Sequence, residues 1–200
     1  EALVPLRPIG IGGQGGVWLA RDPSIDRKFA VKQYNKARLS SMPRKVGLRA
    51  LNELECLQDC GHHPFLIGCY GSFQTHSSLF LVLEVAPGGD LFALDFRYGL
   101  PETSTRFYVS SIVLALRHMH THGWLYRDIK LENLLLTQDK MTVKIADFGL
   151  AKNVSEDAAK TVIGTAKYVA PEMLAGSEYD GFKSDMWSCG VCLYCMTECR

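Results

Sequence analysis

The chain has 200 residues, of which 47% are hydrophobic and 22% charged, and its formal net charge is +1. This near-neutral balance gives no general attraction to nucleic acid or to an anionic membrane, and no apolar run approaches the roughly 18 residues of a spanning helix. The first residues, EALVPLRPIG, lack the pattern of a signal peptide. Seven cysteines, an odd number, favour a reducing compartment, so we expect the cytoplasm or the nucleus.

The first part of the chain reads as mainly β-structure. Residues 6–34 contain the strand-like runs VWLA and KFAVKQY, separated by the turn-like RDPSIDR. In RKVGLRALNELECLQDC, apolar residues recur at mixed, mainly three-residue spacing, which predicts an amphipathic helix. These residues are Val46, Leu48, Leu51, Leu54 and Leu57. Two more strands, HHPFLIGCYGSF and SLFLVLEVA, precede the breaker PGGD.

The second part changes character and is mainly helical. PETSTRFYVSSIVLALRHMHTHG opens at Pro101 and carries a core-facing stripe of apolar residues, which predicts a long helix. We therefore predict an α+β fold with a β-rich first lobe that contains one main helix, residues 1–87. A mainly helical second lobe would follow over residues 88–200, with a cleft between the lobes that suits a small molecule.

A glycine-rich motif lies near the start of the chain. IGIGGQGGVWLA has the pattern G-x-G-x-x-G-x-V from Gly10 to Val17, in which glycines let backbone amides approach phosphates. A dinucleotide-binding fingerprint would need a helix after the glycines. Strand-like sequence on both sides favours a hairpin lid, and a purely structural turn remains an equal alternative.

Charged residues also stand in apolar surroundings. Lys32 lies in the apolar run FAVKQY, and Glu53 of the predicted helix is its candidate partner, although a lysine on the surface is the simpler reading of this fragment alone. LYRDIKLENLLL contributes Asp128, Lys130 and Asn133, and VKIADFGLAK contributes Asp147 just after a strand. An acid that accepts a hydroxyl proton, a lysine for a phosphate and two oxygen ligands for magnesium are the groups that phosphoryl transfer needs.

Further motifs follow in order, GTAKYVAPE at 164–172 and DMWSCG at 185–190. With these motifs the chain resembles a eukaryotic protein kinase over its whole length, because the set matches the known kinase signature. Tyr126, where most kinases have histidine, together with LNELECL, HPFLIGCYGSF, LVLEVAPGGDLF and RFYVSSIVLAL, is similar to the AGC group and its cyclic-nucleotide-dependent members.

The resemblance implies an ATP site that uses magnesium. Lys32, paired with Glu53, would hold the α- and β-phosphates, Asp128 would be the catalytic base, and Lys130 would neutralise the γ-phosphate. Asn133 and Asp147 would bind two Mg²⁺ ions. The remaining residues that the resemblance assigns to ATP are Ile9, Gly10, Gly12, Gly15, Val17, Ala30, Leu83, Glu84, Val85, Leu135 and Ala146.

Regulation is the next implication of the resemblance. Thr161 stands where AGC kinases carry an activating phosphothreonine, which an upstream kinase would install. A phosphate needs cationic partners, and we expect Arg49, Arg127 and Lys152 to converge on it, although Arg49 and Lys152 could instead be solvated surface charges.

Substrate choice is implied as well. Lys130 and Thr165 resemble serine/threonine kinases, and Asp90 and Glu132 keep two acidic positions that bind substrate arginine. Cys195 replaces a third acid, so we expect protein substrates with Arg or Lys before the phosphoacceptor, with a preference weakened at one subsite. The resemblance also implies that a kinase domain continues past Arg200. We therefore expect a fragment with an incomplete second lobe and poor activity of its own.

Two other classes stay open. A pseudokinase or scaffold would bind nucleotide or partners without catalysis, although Lys32, Asp128, Asn133 and Asp147 are all present. The spacing of Cys189, Cys192, Cys195 and Cys199 matches an iron–sulfur run. A helix in which these cysteines act as small buried hydrophobes, and which Trp187 helps to anchor, is the favoured interpretation.

Overall fold

The computed structural model describes residues 3–12, 15–43, 48–94, 99–154, 163–175 and 178–198. They form two compact units, one of Glu1–His62 with Ile67–Val85 and one of His63–Leu66 with Ala86–Arg200. The first unit is β-rich and the second mainly helical, so the predicted α+β fold class is confirmed. The division at residues 87 and 88 stays a prediction.

The first unit is built on one antiparallel sheet with the strand order β1-β2-β3-β5-β4. Its strands are β1 (Val4–Gly12), β2 (Gly15–Asp22), β3 (Arg27–Asn35), β4 (Cys69–Gln74) and β5 (Ser78–Leu83). The strand predicted over HHPFLIGCYGSF begins only at Cys69. Pro64 and Gly68 lie in the earlier part of that run, and both residue types weaken a strand.

The described residues of the first unit also form the helices α1 (Lys36–Ser41) and α2 (Arg49–Cys60). The helix predicted around Glu53 is therefore confirmed, but its predicted inner face was wrong. Leu48 and Leu51 are 39% and 45% exposed. The buried face consists of Ala50, Glu53, Cys56, Leu57 and Cys60. Of the predicted row Leu57 is buried and Val46 lies outside the described residues, while the Glu53 carboxylate takes a place on the inner face.

The second unit is organised around two long helices. These are α3 (Glu102–Thr121), whose Ile112, Leu116 and Met119 are fully buried, and α5 (Gly181–Glu198). The other elements that lie wholly in its described residues are β6 (Trp124–Leu125), β7 (Leu134–Leu136), β8 (Val143–Ile145), β9 (Lys152–Asn153), α4 (Pro171–Leu174) and the 3₁₀ turns Leu131–Asn133 and Ala166–Tyr168. β6 pairs with β9 and β7 with β8, both antiparallel.

The cysteine-rich run lies on helix α5, as predicted for its described part. Burial raises the pKa of the Cys189 thiol to about 11, which keeps that group neutral at ordinary pH. Trp187 is 49% exposed and does not anchor the helix, because the buried group at that end is Asp185, 1% exposed. Among the described residues no group of three or more His, Cys, Asp or Glu side chains is arranged to hold a metal ion. Within the same ranges, no helix has the length and apolar character to cross a membrane.

Candidate active site

One face of the first unit's sheet collects four of the residues predicted to bind ATP. Val17 lies opposite Lys32 across the β2–β3 ladder, and Ala30 lies opposite Leu83 across the β3–β5 ladder. Directly opposed residues point to the same side of a sheet, and so do residues two apart on one strand. Register therefore places the four on a common face, with a single lysine among apolar neighbours.

Lys32 meets its predicted partner on that face. Its Nζ donates to Oε1 and Oε2 of Glu53 at 2.9 and 2.8 Å, and the Glu53 side chain is only 1% exposed. The Tyr34 hydroxyl also donates to Glu53. Burial and the Glu53 charge raise the pKa of Tyr34 far above its usual value, so the phenol stays a neutral donor. Two donors thus compensate a carboxylate that water does not reach.

The glycine motif forms the turn end of the β1–β2 hairpin. Gly10 pairs with Val17 and Gly12 with Gly15, while Ile9 on β1 is 42% exposed. The strand β2 continues directly from the glycine motif, where a dinucleotide-binding fingerprint would have a helix. The paired strands agree with the predicted hairpin and exclude that fingerprint. A Cβ on Gly15 would lie 1.7 Å from the carbonyl oxygen of Gln33, so this glycine also allows β2 to approach β3.

The last residues of the first unit follow β5. The backbone N–H of Glu84 donates to the Gly68 carbonyl at 2.8 Å, and the Glu84 carboxylate accepts from the Gly68 N–H at 3.0 Å. Val85 ends the unit. These two hydrogen bonds fix the backbone at Glu84, in the segment that is predicted to bind adenine.

The second unit holds the residues predicted for catalysis. Asp128, 8% exposed, accepts hydrogen bonds from Lys130 Nζ at 2.7 Å and Thr165 Oγ1 at 3.0 Å. The Asn133 amide donates to the Asp128 carboxylate at 3.0 Å and to its carbonyl at 2.9 Å. A carboxylate fixed by three side-chain donors has a defined orientation, which a general base requires.

Asp185 holds this loop from helix α5. Its Oδ1 accepts the Arg127 N–H at 2.7 Å, and its Oδ2 accepts the Tyr126 N–H and His120 Nε2, both at 2.9 Å. Arg127 has a φ of +68°, which costs a residue with a side chain about 1–2 kcal/mol. The short hydrogen bond to Asp185 offsets that strain at the residue before Asp128.

Sequence reasoning quoted DMWSCG as a motif but gave Asp185 no role, and it gave none to Tyr34. The sequence gave no sharp signal for Asp185, because an acid near the start of a helix is usually a favourable solvated group, and only its burial requires a partner. Nothing local marks Tyr34, since its partner Glu53 is 19 residues away.

The second metal-binding candidate lies after β8. Asp147 is exposed, has a φ of +60°, and accepts the Gly149 N–H at 3.4 Å, while Phe148 is buried against Tyr126 with ring centroids 5.6 Å apart. Amide and carboxylate oxygens, as in Asn133 and Asp147, are the donors that Mg²⁺ prefers. Leu135 and Asp90 form an isolated bridge, and the Asp90 carboxylate accepts the Ala93 N–H at 2.7 Å.

Only part of the predicted phosphorylation site lies among the described residues. Thr161 lies outside the described residues. Arg127 donates through Nε to the Leu150 carbonyl at 2.8 Å, and Lys152 pairs with Leu125 in the second unit. Arg49 begins helix α2 in the first unit. Their convergence on a phosphate stays a prediction.

Comparison with known proteins gives a match over nearly the whole chain. A family profile described as "Protein kinase domain" matches residues 3–200. CBL-interacting serine/threonine-protein kinase 7 of Arabidopsis thaliana is 36% identical over 192 residues, which are 94% of this chain and 44% of that protein.

Two further relatives carry protein kinase C names. Atypical protein kinase C of Drosophila melanogaster and protein kinase C zeta type of Oryctolagus cuniculus are each 37% identical over 198 residues. The match covers 98% of this chain and 32% and 33% of those proteins. The chain therefore spans less than half the length of the relatives it matches.

Proposed function

The chain belongs to the protein kinase family, and on that premise we propose that it transfers the γ-phosphate of ATP to serine and threonine hydroxyls of protein substrates. The observation that carries the proposal is the oriented carboxylate of Asp128 with Lys130 beside it. A relative that is named as a serine/threonine-protein kinase supports the same class of acceptor.

The chemistry assigns each group one task. A substrate hydroxyl that approaches Asp128 gives its proton to this carboxylate as the oxygen attacks the γ-phosphorus. The Lys130 ammonium, 2.7 Å from the carboxylate, lies where it stabilises negative charge on the transferring phosphoryl group. Thr165 and Asn133 keep Asp128 in the orientation that accepts the proton.

Magnesium fits the oxygen donors of this unit. The Asn133 amide uses its nitrogen on Asp128, which leaves its oxygen as a ligand, and Asp147 supplies a carboxylate. When bound, Mg²⁺ neutralises charge on the ATP phosphates.

The first unit would supply the groups for the rest of the nucleotide. We propose that Lys32, oriented by Glu53, contacts the α- and β-phosphates beneath the glycine hairpin. Val17, Ala30 and Leu83 on the same sheet face would contact adenine, together with Leu135 of the second unit. In this proposal the β-rich lobe covers residues 1–87 and the helical lobe residues 88–200.

The finer substrate preference is also a proposal. Asp90 and Glu132 are acids in the unit that carries Asp128, and both would attract Arg or Lys before the phosphoacceptor. Cys195 offers no charge, so the preference is weakened there. We place this activity in a reducing compartment, the cytoplasm or the nucleus, because of the seven cysteines.

Activation would depend on phosphorylation of Thr161 by an upstream kinase. Phosphate carries close to two negative charges, and Arg49, Arg127 and Lys152 are its proposed partners. A Thr161→Ala variant should lose most activity after treatment with an activating kinase, whereas Ser155→Ala in the same stretch should not. Full activity of Thr161→Ala would contradict the proposed activation by phosphorylation.

Asp128→Asn tests the reaction itself. This change keeps the shape but removes the proton acceptor, so phosphate transfer from ATP to a serine peptide should fall about 10²- to 10⁴-fold. Asp139→Asn is the matched control, because Asp139 is exposed in the β7–β8 turn and accepts hydrogen bonds from Thr137 and Met141 of the same turn. The class is decided with a longer protein that includes the sequence on either side of these residues: ATP binding without transfer by that unsubstituted protein, in the presence of Mg²⁺, would instead indicate a pseudokinase.

A further inference from the structure

Tyr34 contacts both members of the Lys32–Glu53 pair. It follows Lys32 by two residues on β3, so the two side chains lie on the same face of the sheet. Tyr34 is only 2% exposed. Its hydroxyl donates to Oε2 of Glu53, and the Lys32 ammonium lies 5.3 Å from the centre of its ring. The phenol therefore meets the acid with its hydroxyl and the base with its ring face.

The hydroxyl anchors Glu53 in a way that the lysine cannot. Oε1 and Oε2 of Glu53 accept from Lys32 Nζ at 2.9 and 2.8 Å, and Oε2 also accepts from Tyr34. The lysine ammonium ends a flexible four-carbon stem, whereas the phenol is a rigid ring with two side-chain torsions. Tyr34 lies opposite Leu79 across the β3–β5 ladder, so its backbone is fixed in the middle of the sheet. Helix α2 is thus tied to the sheet at Glu53 by a rigid donor as well as by a mobile one.

Phosphate binding requires Lys32 to share its charge. An ammonium has three N–H donors, and Nζ makes hydrogen bonds to both oxygens of Glu53. A phosphate that contacts Nζ draws part of this charge away from a side chain that is 1% exposed, and a buried carboxylate with too few donors is costly. Burial and the Glu53 charge raise the pKa of Tyr34, so the phenol stays protonated and continues to donate while the lysine turns. The hydroxyl therefore lowers the cost of sharing the lysine.

We propose that Tyr34 is a positioning residue for phosphate binding: its hydroxyl holds Glu53 in place so that the Lys32 ammonium can reach the α- and β-phosphates. The inference rests on the proposed function, in which Lys32 contacts those phosphates, and it deepens that function by adding a third member to the ion pair. A side chain that only fills the core would need the ring but not the hydroxyl. Removal of the hydroxyl alone therefore separates the two roles.

Tyr34→Phe keeps the ring and removes only the hydroxyl. The longer protein that includes the sequence on either side of these residues is titrated by calorimetry with ADP and Mg²⁺, and separately with adenosine, which has no phosphates. ADP carries the α- and β-phosphates but no γ-phosphate, so no transfer occurs during the titration. The preference for ADP over adenosine should fall about three- to tenfold, whereas the adenosine affinity should stay the same. In a transfer assay the KM for ATP should rise by a similar factor with little change in kcat.

Tyr108→Phe is the matched control. Tyr108 of α3 is 7% exposed and its hydroxyl donates to the Lys140 carbonyl at 2.6 Å, so this variant loses the same buried group in the second unit. A lower ADP preference in Tyr34→Phe and not in Tyr108→Phe supports the inference. An unchanged preference in Tyr34→Phe, an equal change in both variants, or an equal loss of ADP and adenosine affinity overturns it. Loss of the fold of Tyr34→Phe, measured by circular dichroism, also overturns it, because the hydroxyl is then structural.

A second comparison tests whether the hydroxyl acts through the ion pair. Tyr34→Phe is added to the variant Lys32→Met/Glu53→Met, in which both charges are absent. The ADP preference should not fall further there, and a further fall overturns the inference. Failure of the proposed function has a different signature, in which ADP binds but no phosphate passes from ATP to a serine peptide. The affinity ratios then still decide the role of Tyr34, and an unsubstituted protein that binds ADP no more tightly than adenosine overturns that role.

Discussion

The two units hold their reactive charges by different means. In the first unit, Lys32 depends on a carboxylate 21 residues away, which helix α2 carries to the sheet. In the second unit, Asp128, Lys130 and Asn133 lie within six residues, and one buried side chain, Asp185, fixes the loop. The first arrangement is lost when a helix moves, whereas the second is lost when a single acceptor is removed. The comparison predicts which substitutions are most damaging.

Removal of Asp185 should have the largest effect. Asp185→Ala leaves the buried N–H groups of Tyr126 and Arg127 without an acceptor and releases a strained backbone, so the free energy of unfolding should fall by about 3–5 kcal/mol. Urea unfolding followed by circular dichroism measures this loss. Asp180→Ala is the control, since Asp180 caps the first turn of α5 and pairs with the exposed Lys183, and its loss should cost about 1 kcal/mol. Equal losses in the two variants would contradict the role of Asp185.

A double-mutant cycle on Lys32 and Glu53 comes next. Lys32→Met leaves Glu53 buried with Tyr34 as its remaining donor in the described contacts, which should cost about 3 kcal/mol. The double variant Lys32→Met/Glu53→Met removes both charges and should recover most of that stability. A double variant less stable than Lys32→Met would show that the pair itself stabilises the unit.

Thr165 should affect the reaction more than the fold. Thr165→Val removes the hydroxyl that donates to Asp128 and accepts from Lys130, at a cost of about 1.4 kcal/mol in the transition state. We expect kcat to fall about tenfold, with little change in the melting temperature. Thr165→Ser keeps the hydroxyl and should retain activity, so a similar loss in both variants would argue against this hydrogen bond.

The smallest effect concerns pH and His63 of the second unit. Burial, with contributions of His118 and Lys144, lowers the pKa of His63, whose ring is stacked on His118 at 4.6 Å. The unfolded chain therefore binds more protons just below pH 6.5, so stability should fall as the pH drops through that region. His63→Gln should show a slightly shallower loss of melting temperature between pH 7 and 5.5. An identical slope in both proteins would contradict the assignment.

Much of the site follows from short sequence patterns. The glycine hairpin, the Asp128 loop and the cysteine-bearing helix α5 are local features whose residue spacing specifies their type. The inner face of α2 does not follow, because leucine periodicity predicts Leu51 inside, whereas the ion pair with Lys32 turns Glu53 inward. The prediction that Trp187 anchors helix α5 was wrong for a similar reason. The size of this side chain suggests burial, but Asp185 is the side chain that packs inward.

The sequence by itself determined most types of the elements and the kinase resemblance, and it supplied the candidate groups for phosphoryl transfer, because these depend on residues close along the chain. The tertiary structure decided which buried acceptor orients the Asp128 loop and which face of α2 meets the sheet. The bond between Tyr126 and Asp185 joins residues 59 positions apart in sequence. No local periodicity encodes such pairs, since packing of whole elements selects them.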